Sequence, residues 1–379
     1  MGMKDNPVRQ LGALGQSIWL DYIRRDLITS GELRRLIEED GLRGMTSNPS
    51  IFEKAIAGSQ DYDEDVRVMA LEGKSVKSIY EALSQRDVQS AADEFGPLYD
   101  ETQGADGYVS LEVNPHLAHD TEGTVEEARR LWIALDRPNV LIKVPATVEG
   151  LPAIQQLISE GINVNVTLLF GIPRYQQVVE AYLVGLEARA AQAEPVKNVA
   201  SVASFFVSRI DTLVDPLLEN LMARGGEHAD SARMGHGQVA IASAKVAHQI
   251  YKGVFDSDRY AKLAAKGART QRLLWASTST KNPEYSDVKY VEALIGRDTI
   301  DTVTVETLDE YRGHGEPKER IEQEVVKARG VLDRLPEMGI NIDAVTQQLE
   351  DEGVAKFSES FDKLMETLEN AVQKRSVPQ

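Results

Sequence analysis

The sequence has 379 residues, of which 42% are hydrophobic and 27% charged, with a formal net charge of −18 and no cysteine. Such a length accommodates two ordinary domains or one large α/β barrel, and the missing thiols exclude disulfides, thiolate metal sites, iron–sulfur clusters and a cysteine nucleophile. The acidic balance opposes nucleic acid and anionic membrane surfaces, and no apolar run approaches the roughly 20 residues of a membrane span, so neither is an expected partner.

Residues 1–7, Met-Gly-Met-Lys-Asp-Asn-Pro, carry no apolar run after the basic residue, so no secretory signal is read there and a cytoplasmic location is expected. Beyond them, short β-branched and apolar runs alternate with segments of helical periodicity. Strands are predicted at Ser17 to Asp21, Gly44 to Ser47, Tyr108 to Val113, Val140 to Pro145, Asn163 to Leu169, Val199 to Val207, Leu273 to Ser277 and Thr302 to Val305. Helices are predicted between them, at Gly31 to Asp40, Lys74 to Glu94, Thr124 to Leu135, Pro152 to Glu160, Pro173 to Ala193, Gln238 to Lys252 and Tyr285 to Leu294. This alternation, with no break in composition, predicts an α/β fold: a closed (β/α)₈ barrel from about residue 15 to 315, within a single domain over residues 1–379. An open doubly wound sheet is the rival. The chain has neither a Gly-x-Gly-x-x-Gly after the first strand nor a Gly-x-x-x-x-Gly-Lys-Ser/Thr motif, so both nucleotide signatures of that rival are missing.

Two regions exceed a minimal barrel. The connection from Pro49 to Asp106 reads as at least two helices, and everything after Glu316 reads as helical, a C-terminal extension over about residues 316–379. Its apolar residues, among them Leu332, Val354, Phe357, Phe361, Leu364 and Leu368, recur at helical spacing, which predicts a helix docked on the barrel by one face.

The active site of such a barrel lies at the C-terminal ends of its strands, so polar residues late in apolar strands are the candidates for chemistry. Lys143 sits inside the run Asn139-Val-Leu-Ile-Lys-Val-Pro-Ala146, where burial disfavours an ammonium ion and favours an amine able to attack a carbonyl. A lysine guarding a strand edge is the ordinary alternative for one such residue, but nearly every strand carries a polar interruption. Asp21 ends the first, Asn48 follows the second, Glu112 lies in the third, and Asn165 and Thr167 lie in the fifth. Ser204 lies in the sixth with Phe206 and Arg209 after it, and Lys281 follows the seventh. Carboxylates, an amine, amides, hydroxyls and cations converging on one mouth suit a polyhydroxylated, phosphorylated carbonyl compound. The six histidines form no metal-binding spacing, and no metal or organic cofactor is expected.

Five motifs carry a resemblance to a known family: Leu42-Arg-Gly-Met-Thr-Ser-Asn-Pro-Ser-Ile-Phe52, Ser110-Leu-Glu-Val113, Val140-Leu-Ile-Lys-Val-Pro-Ala-Thr147, Ile162-Asn-Val-Asn-Val-Thr-Leu-Leu-Phe170 and Ala203-Ser-Phe-Phe-Val-Ser-Arg-Ile-Asp211. In order and across the whole barrel, they resemble the transaldolases, class I Schiff-base enzymes of the pentose phosphate pathway. That resemblance implies transfer of a dihydroxyacetone unit between sugar phosphates, without metal or cofactor. It makes Lys143 the imine residue, Asp21 the acid–base at the C4 hydroxyl, and Glu112 a proton shuttle acting through a water held by Thr167. Asn48, Asn165 and Ser204 would bind the hydroxyls of the retained unit, Phe206 would lie near the imine, and Arg209 would bind phosphate.

Two positions depart from the family pattern. Lys281 stands where many transaldolases have a second phosphate-binding arginine, as in the longer-chain subgroup that includes transaldolase–isomerase fusions, and a lysine offers a point charge in place of a bidentate fork. Thr304-Val-Glu306 lacks the proline common before the glutamate, which weakens a role for Glu306. The rivals are a fructose 6-phosphate aldolase, in which a tyrosine is typical at the position of Phe206, and a noncatalytic sugar-phosphate-binding barrel, from which Lys143, Glu112 or Asp21 would be missing. Assembly as a monomer or a homodimer is left open by the sequence.

Overall fold

The computed structural model describes residues 6–375. Its strands are β1 (Gln16–Asp21), β2 (Gly44–Thr46), β3 (Tyr108–Glu112), β4 (Val140–Pro145), β5 (Val164–Leu169), β6 (Ser201–Phe206), β7 (Arg272–Ala276) and β8 (Thr299–Val303). All pair in parallel and in chain order, and β8 returns to β1 with Gln16 opposite Thr299 and Leu20 opposite Val303, so the sheet closes on itself. The (β/α)₈ barrel expected from the alternation of strands and helices is the fold found.

Closure divides the apolar side chains into two populations. Trp19, Tyr108, Leu141, Val202, Leu274 and Ile300 form a separate cluster inside the ring, whereas the much larger cluster fills the space between sheet and helices. The inner cluster needs Gly44: a Cβ there would lie 2.5 Å from the Trp19 ring, so only a residue without one lets the indole cross the barrel. The N-terminal end is braced by charge. Arg272 bonds Asp106 at 2.7 Å and Ser17 Oγ at 3.0 Å, and Ser17 donates in turn to Asp106 at 3.0 Å. A hollow of about 250 Å³ remains at this end, lined by Tyr108, Leu141, Val202 and Arg272.

Three expectations shift. β8 begins at Thr299 and ends at Val303, three residues before the predicted start and two before the predicted end. The helix expected from Tyr285 to Leu294 is only Lys289–Ala293, because Asn282 turns the preceding segment and Tyr285 is held elsewhere. The C-terminal extension is not helical throughout: residues 315–324 form loop and turn, stabilised by bonds from the Arg320 and Ile321 amides to the Ile295 carbonyl. Lys245 Nζ also donates to the Arg320 and Gln323 carbonyls, at 3.0 and 2.7 Å, which satisfies two groups a helix would have used. Helices Val325–Arg334 and Ile342–Arg375 follow.

The Pro49–Asp106 connection holds three helices, Pro49–Ala57, Asp63–Leu71 and Val76–Glu101. All three touch helix Ile342–Arg375 at the barrel mouth, the first most extensively. Ser50 donates to Ser360 at 2.6 Å, and the Tyr80 and Phe361 rings meet edge to face at 5.5 Å. Arg174, just after β5, bonds Glu350 at 3.2 Å. The long helix thus lies across the strand ends where a ligand would enter. Among the described residues no helix is long and apolar enough to cross a membrane.

Candidate active site

At the C-terminal end of the ring the inward positions turn from apolar to polar within one residue pair. Trp19 is followed on the same face by Asp21, Leu141 by Lys143, Val202 by Ser204 and Ile300 by Thr302, which is the period-two alternation of a strand carried across the boundary of the inner core. A cavity of about 370 Å³ opens above these residues. Of the ten candidates, Asp21, Asn48, Lys143, Thr167, Ser204, Phe206, Arg209 and Lys281 line it. Glu112 and Asn165 stand one layer beneath, each touching a residue that does: Glu112 beside Lys143 and Asn165 beside Ser204.

Lys143 is 4% exposed, and its Nζ donates to the Ser47 carbonyl at 3.0 Å and lies 3.4 Å from Glu112 Oε2. Neither Glu112 oxygen has a hydrogen-bond partner of good geometry, and the Thr167 hydroxyl is likewise buried without one. Burial pushes the Glu112 carboxyl up to about 7, and the Lys143 charge offsets this only in part. Asp21 is also raised by burial, against the opposing pull of Lys143, of the Thr46 hydroxyl donating at 2.7 Å, and of Lys281. Two carboxyl groups with different surroundings flank one amine, an arrangement that lets one hold a proton while the other accepts one.

The polar floor is fixed by its own bonds. Ser204 donates to Asn165 Oδ1 at 2.7 Å, and Asn165 Nδ2 donates to Ser110 Oγ at 3.0 Å, so the amide orientation is set and spans β3, β5 and β6. Thr167 precedes a bulge at which β5 shifts register against β6 and Leu168 adopts φ +53°, a left-handed conformation unusual for leucine. This kink re-aims the end of β5 at the cavity, as bulges beside active sites commonly do. Asn48 lines the cavity and also builds its wall, since its Oδ1 accepts the Ile51 amide at 3.0 Å and caps helix Pro49–Ala57.

At the rim, Phe206 packs on Phe170 with ring centroids 5.0 Å apart. Arg209 lies in the first turn of helix Ser208–Arg224, and Lys281 in the loop after β7; neither makes an ion pair within 4.0 Å among the described residues. Burial and then the Arg209 charge push the Lys281 ammonium below its ordinary value, and Asp21 pulls it back. The two cations are thus close enough to repel each other, while Asp21 acts on Lys281 and Glu352 on Arg209.

The cavity also has lining residues that sequence reasoning passed over: Lys54 and Ile51 of helix Pro49–Ala57, Thr46 and Thr302 of the floor, and Phe357 of the long C-terminal helix. Glu306, weakened by its sequence context, lines the cavity as well. Thr46 and Thr302 carried a usable signal, a hydroxyl at an inward strand position; Phe357 carried none, since its spacing is that of any docked helix.

A closed parallel barrel that gathers polar side chains at its strand ends is the architecture of a (β/α)₈ enzyme. Comparison with known proteins makes this specific. The profile of the family described as transaldolase/fructose-6-phosphate aldolase matches residues 18–368. A transaldolase of Trichodesmium erythraeum is 49% identical over 98% of this chain and 99% of its own length. Transaldolase 2 of Nostoc sp. is 46% identical over 98% and 99%, and a transaldolase of Thiobacillus denitrificans is 47% identical over 95% and 99%. The chain belongs to the transaldolase/fructose-6-phosphate aldolase family, and it is an enzyme that transfers aldehyde or ketone residues.

Proposed function

We propose that the enzyme is a transaldolase of the pentose phosphate pathway working through a Schiff base on Lys143. It takes a dihydroxyacetone unit from a ketose phosphate, sedoheptulose 7-phosphate or fructose 6-phosphate, and gives it to an aldose phosphate, glyceraldehyde 3-phosphate or erythrose 4-phosphate. The observation that carries this reading is the buried Lys143 side chain on the cavity floor, its Nζ 3.4 Å from the likewise buried Glu112 carboxyl.

The Lys143 nitrogen attacks C2 of the ketose, and the carbinolamine loses its hydroxyl as water with a proton from Glu112, leaving an iminium ion. Asp21 takes the C4 hydroxyl proton, the C3–C4 electron pair moves into the iminium, and the shortened aldose departs. The enamine then attacks the carbonyl carbon of the acceptor aldose, Asp21 returns the proton to its oxygen, and water adds to the imine to free the product and regenerate the amine. Glu112 and Thr167, buried with unpartnered oxygens, suit a water relay for the two dehydration–hydration steps. Asn48, Asn165 and Ser204 supply donors and acceptors for the hydroxyls of the held unit, and Arg209 and Lys281 supply charge for the phosphate. Phe206 favours transfer over release, since its apolar ring offers the enamine no proton.

The test is reduction with borohydride in the presence of fructose 6-phosphate, followed by peptide mass mapping. The dihydroxyacetone-derived mass is expected on the peptide containing Lys143. A label on Lys54, Lys245 or Lys281, with Lys143 unmodified, overturns the assignment.

A further inference from the structure

Helix Ser208–Arg224 presents Arg209 to the cavity from its first turn and buries Asp211 and Asp215 on the face behind it. These two carboxylates are the anchor of a dense network reaching the loop that carries Lys281. Asp215 Oδ2 accepts the Tyr285 hydroxyl at 2.6 Å, and its Oδ1 accepts the Gly237 amide at 2.7 Å. Asp211 Oδ2 accepts the Tyr290 hydroxyl at 2.9 Å, and its Oδ1 accepts the Ala240 amide at 2.7 Å.

Lys289 completes the arrangement. Its Nζ lies 3.2 Å from the Tyr285 ring centroid, 5.0 Å from that of Tyr290, and 3.8 Å from Asp211 Oδ2. Gly237 is required at the centre: it has φ +66°, and a Cβ there would sit 2.6 Å from both Lys289 Nζ and the Tyr285 hydroxyl. His236 Nδ1 lies 3.2 Å from the same hydroxyl, and its Nε2 is 2.9 Å from Glu219. Within the loop, Thr280 donates to the Ser286 carbonyl at 2.7 Å, which ties the residue beside Lys281 to the residue beside Tyr285. A small hollow of about 160 Å³ separates the network from the cavity rim and is lined by Asp211, Asp215, Tyr285, Tyr290 and Lys281 itself.

We propose that Tyr285, anchored on Asp215, is a positioning residue that fixes the Lys281 loop to the helix bearing Arg209 and so sets the spacing of the two cations that receive the substrate phosphate. The inference rests on the phosphate role given above to Arg209 and Lys281. The helix is held by the barrel, whereas the loop between Lys281 and Ser286 is largely exposed and reaches a buried partner through the Tyr285 hydroxyl. One hydroxyl therefore couples a cation on a loop to a cation on a fixed helix. Lys289 over the ring and the bond to a carboxylate resist withdrawal of the tyrosine.

Tyr285→Phe removes the hydroxyl and keeps the ring on which Lys289 rests, and Thr280→Val loosens the loop without touching the buried acids. Both are measured for KM and kcat with fructose 6-phosphate, for activity on unphosphorylated fructose, and for competitive inhibition by inorganic phosphate. Tyr285→Phe is expected to raise KM and the phosphate inhibition constant together by roughly three- to ten-fold, the scale of one hydrogen bond. Its kcat and its activity on fructose should stay within about two-fold, because an uncoupled loop weakens uniform binding and leaves the reacting centre alone. Thr280→Val should move in the same direction. Arg209→Ala distinguishes a wrong phosphate site from a wrong positioning role. If it leaves phosphate inhibition unchanged, the phosphate reading itself fails. If Arg209→Ala weakens inhibition while Tyr285→Phe and Thr280→Val do not, or if they lower activity equally on both substrates, the positioning role is wrong.

Discussion

Glu112 is the residue on which the proposed chemistry is most sensitive to pH. Its carboxyl is buried on all sides, so the charged form is disfavoured and the pKa rises to about 7, in spite of Lys143 at 3.4 Å. A group with that value can give a proton to a departing hydroxyl and take one back from water without a large energetic mismatch at neutral pH. In the proposed mechanism, dehydration of the carbinolamine uses the protonated carboxyl, which is present below about 7 and lost above it. The kcat/KM profile should therefore contain a limb that falls as pH rises through about 7. Glu112→Gln keeps the shape and cannot exchange protons; kcat is expected to drop by roughly 10²- to 10⁴-fold, with that limb absent. A variant that retains the limb assigns it to another group.

Among the elements, helix Ile342–Arg375 adds one buried ion pair to its hydroxyl, ring and apolar contacts. The side chains of Glu350 and Arg174 are 6% and 12% exposed; burial raises the Glu350 pKa, and Arg174 is the main charge opposing that rise. Removing one partner of such a pair costs about 3–5 kcal/mol, because the other charge stays buried alone. Arg174→Ala should accordingly increase amide exchange in residues 342–360 while the barrel strands keep their protection. Uniformly faster exchange throughout the chain would show that the pair supports the whole fold and not the docking of this helix.

The strands are legible because an apolar run interrupted by polar residues at inward positions is a strong local signal, and Lys143, Glu112 and Asn165 are all such interruptions. β8 departs from expectation where the signal is double: Asp301 faces away from the cavity yet is fully buried, bonded by Thr278 at 2.9 Å, so its alternation with Thr302 does not separate water from core. Lys54 and Phe357 are invisible for a different reason. A helical residue at a barrel mouth is chosen by where the helix lies, and nothing in the spacing of its neighbours specifies that. The attachment of Tyr285 to Asp215 is hidden in the same way, by 70 residues of intervening chain.

Across the whole molecule, a net charge of −18 surrounds a mouth at which Arg209 and Lys281 have no carboxylate within 4.0 Å among the described residues. With the phosphate role proposed for these two cations, a sugar phosphate would approach against the overall field and be captured by a local one, so binding would discriminate by position as well as by charge. The same ring that concentrates these groups draws them from distant parts of the chain: Lys143 meets the Ser47 carbonyl across 96 residues, and Gln16 ties β1 to Thr299 across 283. Helices can form and pack locally long before the first and last strands meet. During refolding from denaturant, the far-ultraviolet helical signal should thus return ahead of catalytic activity, because loop closure over such separations is slow. Simultaneous recovery would mean that the seam forms with the first collapse. If the delay is found, turnover becomes a clock for the joining of β1 to β8, and an enzyme assay reads out the moment at which an open ribbon becomes a ring.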